Sequence, residues 1–434
     1  MKTKISIFWF RRDLRLEDNV GLFRALSSKY PVLPIFIFDE DILAKLEDKS
    51  DRRLDYIHQA LEKINLELQS WCSALATFYG KPLDVFKKLS EIYAIQAVYC
   101  NRDYEPYAIK RDAEILNFFK TLRIPFQSFR DQVIFDQSEV AKSDGAPYTV
   151  FTPYSKKWKE LLTEESYRES NPDFAKLLKR DFSEIISLEE LGFVKTDMVF
   201  EIPKLDASII DDYDKFRDFP ALQRTTHLGI ALRFGTISVR KCVDFALKHN
   251  ETWLNELIWR EFFMQILYHF PKVVNQSFKA KYDGIPWRND EREFQLWCEG
   301  KTGYPIVDAG MRQLNETGYM HNRVRMIVAS FLCKHLLIDW RWGEAYFAQK
   351  LNDYDLSANN GNWQWAAGCG CDAAPYFRVF NPTAQTEKFD KNLEYIKNWL
   401  PEFGTINYPK PIVEHSLARD RALKVYGESI KEIT

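Results

Sequence analysis

Glu256, Trp259, Arg260 and Phe263 follow one another at offsets of three, four and seven residues in WLNELIWREF. On a helix those offsets share one face. A carboxylate, a flat indole and a guanidinium on one stripe can hydrogen-bond, stack on and charge-pair with a planar base. An exposed Glu–Arg pair would contribute only about 0.2–0.5 kcal/mol, and a solvated face would not also carry tryptophan and phenylalanine. In MHNRVRM, Asn322, Arg325 and Met326 share a second face. Further on, Asp353, Asp355, Asn359, Asn360 and Asn362 crowd around glycines and run into Trp363 and Trp365. Little of that stretch looks like an ordinary helix or strand, and an Asn-rich run also reads as a surface turn. Buried amides and carboxylates need partners, and a polar, ring-shaped cofactor would supply them. Finally, Thr225-Thr226-His227-Leu228-Gly229 brings hydroxyls and backbone amides to a helix start, which fits a phosphate site or a plain N-cap.

These groups need scaffolds. Residues 1–135 alternate strand and helix patterns, with KISIFWF, VLPIFIF, LATFY, AIQAVYC and the stretch around FQSFRDQVIF as buried strands. Leu54, Ile57, Leu61, Ile64 and Leu68 repeat at helical spacing between two of them. The alternation predicts an α/β domain with a doubly wound parallel sheet. Only Gly21 and Gly80 occur before residue 136, so the domain has no G-x-G-x-x-G dinucleotide turn. Residues 136–205 are charged and irregular and read as an interdomain linker, with FTPYSKKW from Phe151 as the part that docks. Residues 206–434 carry helical periodicity and predict an all-α domain enclosing a cavity.

Composition narrows the class. A formal net charge of −2 excludes a protein that coats nucleic acid indiscriminately, while leaving room for a local basic groove. Seven cysteines, odd in number and without framework spacing, point to a reducing compartment. Cys369 and Cys371 form a lone C-x-C, too few ligands for a metal, so none is expected. ISIFWF is too short for a signal sequence, and no apolar run approaches membrane-spanning length. The expectation is a cytoplasmic protein with no membrane partner.

The motifs resemble those of the photolyase–cryptochrome family. LNDYDLSANNGNWQWAAGCGCDAAPYFRVFNP (Leu351–Pro382) is similar to its flavin-cradling signature. WLNELIWREF from Trp253, EGKTGYPIVDAGMRQL from Glu299, TGYMHNRVRM from Thr317 and FWFRRDLRLEDN from Phe8 stand in the family's order. Asn322 with Met326 looks like the cyclobutane-dimer pattern, since enzymes for the (6-4) photoproduct carry a histidine pair there. Plant-type cryptochromes carry Asp where this chain has Asn359. The resemblance therefore implies a class I cyclobutane pyrimidine dimer photolyase, a monomer that binds FAD and repairs dimer-containing DNA with light. The rival it implies is a cryptochrome, a blue-light receptor without repair.

The resemblance also implies roles for single residues. Glu256, Trp259, Asn322, Met326 and Trp365 would face a flipped-out dimer. Tyr213, Thr225, Thr226, His227, Leu228 and Gly229 would hold FAD around its pyrophosphate, with Gly229 and Ile230 replacing the more usual Ser and Pro. Trp253, Glu256, Arg260, Asn322, Arg325, Asp353, Asp355 and Asn359 would complete the cradle, Asn359 facing the flavin N5 and Arg325 pairing with Asp353. Trp363, Trp340 and Trp287 would carry electrons between flavin and solvent. Arg217, Arg323 and Arg378, with Trp259, would contact DNA. Folate-binding members carry Asn-Glu where this chain has Tyr107-Ala108, so an antenna chromophore would be a flavin or deazaflavin rather than folate.

Overall fold

The computed structural model describes residues 2–431. Five strands, β1 (Lys4–Phe10), β2 (Val32–Asp39), β3 (Ala76–Gly80), β4 (Ala94–Asn101) and β5 (Phe126–Phe129), form one sheet in the order β3-β2-β1-β4-β5. All four pairings are parallel. β2 is buried along its whole length and β1 from Ile5 onward. That double-sided burial is why both read as continuous apolar runs instead of alternating ones. Ile7 and Trp9 face one layer with Phe86 and Phe119, while Phe8 and Phe10 face the other with Leu22 and Leu61. The doubly wound α/β domain is as expected, although FQSFRDQVIF is a strand only over its first four residues. Past them, Asp131 turns into the interior and takes the guanidinium groups of Arg15 at 2.7 Å and Arg240 at 2.8 Å.

Residues 136–205 do not form the separate linker expected. The chain divides into one compact unit of Met1–Val140, Trp158–Leu205 and His227–Lys248, and a second of Ala141–Lys157, Asp206–Thr226 and His249–Thr434. Leu177, Leu188, Leu191 and Phe193 lie in the same core as Phe8, and the Leu178 amide donates to the Val32 carbonyl at 2.8 Å. These apolar residues stand singly among charged ones, so they show no period although each is buried. Residues 227–248, expected with the helical domain, also belong to the sheet's unit. Buried Arg240 anchors them on Asp18 and Asp131.

The second unit is helical. Its central helices are Glu251–His269, Asn322–Ser330, Trp340–Lys350 and Leu356–Ala367. The last corrects the expectation that the Asn-rich stretch has no ordinary secondary structure. Asp355 caps it by accepting from the Ser357 and Ala358 amides at 3.0 and 3.3 Å, and Gly368 ends it at φ 90°. Its buried residues include Ser357, Asn359, Asn360 and Gln364, so its sequence carries no apolar stripe. Asn360 and Gln364 are satisfied inside the protein, both donating to the Val273 carbonyl at 2.9 Å. Two glycines let its neighbours close in. A Cβ on Gly361 would lie 2.2 Å from the Phe263 ring, and one on Gly343 would lie 2.1 Å from the Trp363 ring.

Candidate active site

A cavity of about 340 Å³ opens among these helices within the second unit. The Glu251–His269 helix contributes Glu256, Trp259, Arg260 and Phe263, so the stripe read from the sequence does face one space. Asn322, Arg325 and Met326 come from the next helix, and Asp353, Asp355, Asn359, Trp363 and Trp365 from the Asn-rich segment. Arg217 completes the lining residues expected from the sequence. Trp253 is instead buried in its helix, and Tyr213 lies under Arg217, whose guanidinium is 5.3 Å from its ring.

Arg325 and Asp353 form an ion pair at 2.9 Å, with Arg325 also donating to the Met320 carbonyl at 2.7 Å. The other carboxylate oxygen of Asp353, Oδ1, is buried without a hydrogen-bond partner. A lone buried acceptor beside an aromatic-lined cavity suits the imide N–H of a flavin ring. Asn359 is set by a residue that sequence reasoning missed, Glu344. The Asn359 Nδ2 donates to the Glu344 carbonyl at 3.1 Å and to its carboxylate at 2.8 Å. Both amide protons are thereby taken, which leaves Oδ1 to face outward as an acceptor. Burial pushes the Glu344 pKa up, against the pull of the Asn359 bond. The one signal for Glu344 is its place four residues after Trp340 on the same helix.

At the other wall, Glu256 is held by Arg217. Burial raises the Glu256 pKa, and Arg217 opposes that shift. Of the Trp259 indole expected to stack on a base, one face is taken by Phe151, stacked at 3.6 Å and 4°, and Phe263 lies 5.5 Å away at 29°. Phe151 starts the segment expected to dock, and its amide donates to Asp372 at 3.0 Å. Arg323 pairs with Asp218 at 2.7 Å and covers the Phe389 ring at 4.5 Å, while Arg378 is exposed.

Thr225 approaches the Tyr319 hydroxyl at 3.4 Å, and it and Thr226 end a segment of the second unit. His227, at φ 52°, and Leu228 and Gly229 begin a segment of the first. The expected helix start is there, at Gly229–Phe234, without a side-chain cap. Of the three tryptophans, Trp363 and Trp340 are buried, and Trp287 is partly buried beside the Tyr426 ring at 5.8 Å. Trp363 packs on Gly343, three residues along the helix from Trp340. A further indole, Trp297, lies 6.1 Å from Trp363. Among the described residues, no three His, Cys, Asp or Glu side chains gather as a metal site requires.

The chain is similar to known proteins. Residues 253–407 match the family described as FAD binding domain of DNA photolyase, and residues 6–173 match the one described as DNA photolyase. The deoxyribodipyrimidine photo-lyase of Synechococcus sp. is 37% identical over 97% of this chain and 96% of its own length. A bacterial class III photolyase from Agrobacterium tumefaciens superposes with a TM-score of 0.88 at 32% identity, covering 99% of this chain and 98% of that one. An archaeal photolyase from Sulfolobus tokodaii, described with two FAD molecules, gives 0.83 at 34% identity, covering 98% and 100%. The class I label expected from the sequence is not carried by these matches, one of which is described as class III.

Proposed function

This chain belongs to the DNA photolyase family, and we propose that it is a deoxyribodipyrimidine photo-lyase, repairing cyclobutane pyrimidine dimers in DNA with light. One observation carries the reading: Glu256, Trp259 and Met326 line the same cavity as Asn359 and the Arg325–Asp353 pair. Groups suited to a base and groups suited to a flavin ring thus share a single space. Bound FAD supplies the chemistry, electron donation to the dimer under light. The chain's own part is to bind, orient and tune. Asn359 presents its acceptor oxygen at the flavin edge, and Asp353 takes a ring N–H. Glu256, protonated, donates to a base carbonyl where negative charge develops. The dimer leaves the duplex to reach these groups, as photolyases, among other enzymes acting on bases, require. Asn at 359 supports repair over a cryptochrome role.

The enzyme acts as a cytoplasmic monomer; among the described residues no helix is long and apolar enough to cross a membrane. Sedimentation as a dimer at micromolar concentration would contradict the monomer. A second flavin as light-harvesting antenna is supported by the description of the Sulfolobus protein, and flavin released per chain measures it. Trp363, Trp340 and Trp287 form the electron route, so Trp340→Phe should slow photoreduction of oxidised FAD and spare repair by pre-reduced enzyme. Unchanged photoreduction removes Trp340 from the route. The decisive assay is dimer loss from DNA in light against dark. Equal loss in both, or none in either with FAD bound, rules the function out.

A further inference from the structure

Arg217 matches a position expected on a DNA phosphate, yet it is spent on Glu256. Its side chain is 23% exposed and that of Glu256 32%, so the pair is reachable from solvent. Tyr213 supports it from below at 5.3 Å. Asp218 is the other carboxylate in reach, 4.0 Å from the Arg217 Nε, but Asp218 is itself engaged by Arg323 at 2.7 Å. Without a base in the cavity, Arg217 therefore has one good partner. Leaving would strip the partly buried Glu256 carboxylate of its charge partner, a cost that offsets what a phosphate contact returns.

We propose that Arg217 is a lesion-gated phosphate contact, released to DNA only when a flipped-out dimer takes over Glu256. The inference rests on the repair reading above. When a dimer carbonyl accepts a hydrogen bond from Glu256, which takes up a proton from solvent as Arg217 leaves, that group is satisfied and Arg217 turns to the adjacent backbone phosphate. Undamaged DNA leaves the cavity without a base, so Arg217 stays on Glu256 and adds nothing. The ion pair thus converts occupation of the cavity into one extra phosphate contact, and it separates damaged from undamaged DNA by positioning, without reading the base itself.

The test measures dissociation constants for undamaged and dimer-bearing duplexes across a salt series, in the dark, with FAD-loaded protein. In the wild type, dimer-bearing DNA should show a salt slope steeper by about one. Arg217→Ala should weaken dimer-bearing DNA, remove that extra slope and leave undamaged DNA unchanged. Glu256→Gln breaks the ion pair, so undamaged DNA should bind about two- to fivefold tighter, a gain that misfolding would not produce. In the double variant Glu256→Gln/Arg217→Ala the gain should vanish. The gate is overturned if Arg217→Ala weakens both DNAs equally. It is also overturned if Glu256→Gln leaves undamaged DNA unchanged, or if its gain survives in the double variant, where loss of negative charge alone would explain it. Absence of light-dependent repair would instead defeat the enzyme reading, and an Arg217→Ala protein that binds both DNAs as the wild type does would defeat the phosphate contact. Arg217→Lys, which keeps charge but loses the forked geometry, gives the same comparison should the alanine variant fail to fold.

Discussion

Glu256 shows how burial and a counter-ion compete over one proton. Burial pushes its pKa up and Arg217 pulls it down, with a net upward shift. A raised pKa keeps the proton on Glu256 to higher pH, so the donor form prevails below that pKa and is lost above it. Repair per absorbed photon should therefore fall as pH rises through the Glu256 pKa. Glu256→Gln should flatten the profile, while Glu256→Ala should slow ring splitting about tenfold below that pKa and differ little from the wild type above it. An alanine variant with wild-type quantum yield would make Glu256 a bystander. Asn359 poses the same kind of question at the flavin. Its amide is aimed by Glu344, so Glu344→Ala should let it turn and lower the yield of stable reduced flavin. Asn359→Asp should lower it further, because a carboxylate disfavours a nearby anion. Photoreduction spectra of the three proteins compare them directly, and identical yields would count against the assigned position.

At the scale of elements, the cavity depends on helices that approach closely. Gly343 is where the Trp340–Lys350 helix meets Trp363, with no room for a Cβ. Gly343→Ala should destabilise the protein by about 1–3 kcal/mol and loosen FAD, which thermal unfolding and flavin retention after gel filtration would report. Gly427 is a control in the helix His415–Lys431, since the nearest atom to its added Cβ lies 4.0 Å away. Gly427→Ala should be neutral or stabilising by up to about 1 kcal/mol. If both substitutions behave alike, the close approach does not limit packing.

Over the whole molecule, a net charge of −2 and a DNA substrate are compatible only if basic residues are segregated. Arg217 and Arg323 are neutralised by carboxylates, which leaves exposed Arg378 as a freer electrostatic handle. Arg378→Ala should weaken undamaged and dimer-bearing DNA alike and lower the salt slope by about one. A loss confined to the dimer would mean that Arg378 reads the lesion.

The sequence by itself determined the two fold classes and several of the residues that line the cavity. Doubly buried strands write themselves as apolar runs, and a helix face writes itself at offsets of three and four, so β1, β2, β4 and the Glu256–Phe263 stripe were legible, whereas β3, read as buried, is buried only at Ala76. The ion pair of Arg325 with Asp353 was legible only through the family resemblance, because its two residues lie in separate motifs. The helix Leu356–Ala367 was not, because its buried face carries amides such as Asn359, Asn360 and Gln364 and so shows no apolar period. The span 136–205 was not, because Leu177, Leu188 and Phe193 reach the core one at a time. Only the tertiary structure decided which partner each charged or aromatic group takes. Arg217 on Glu256, Phe151 on Trp259 and Glu344 on Asn359 join residues 39, 108 and 15 positions apart. No local pattern encodes such pairings, since they follow from how whole elements pack.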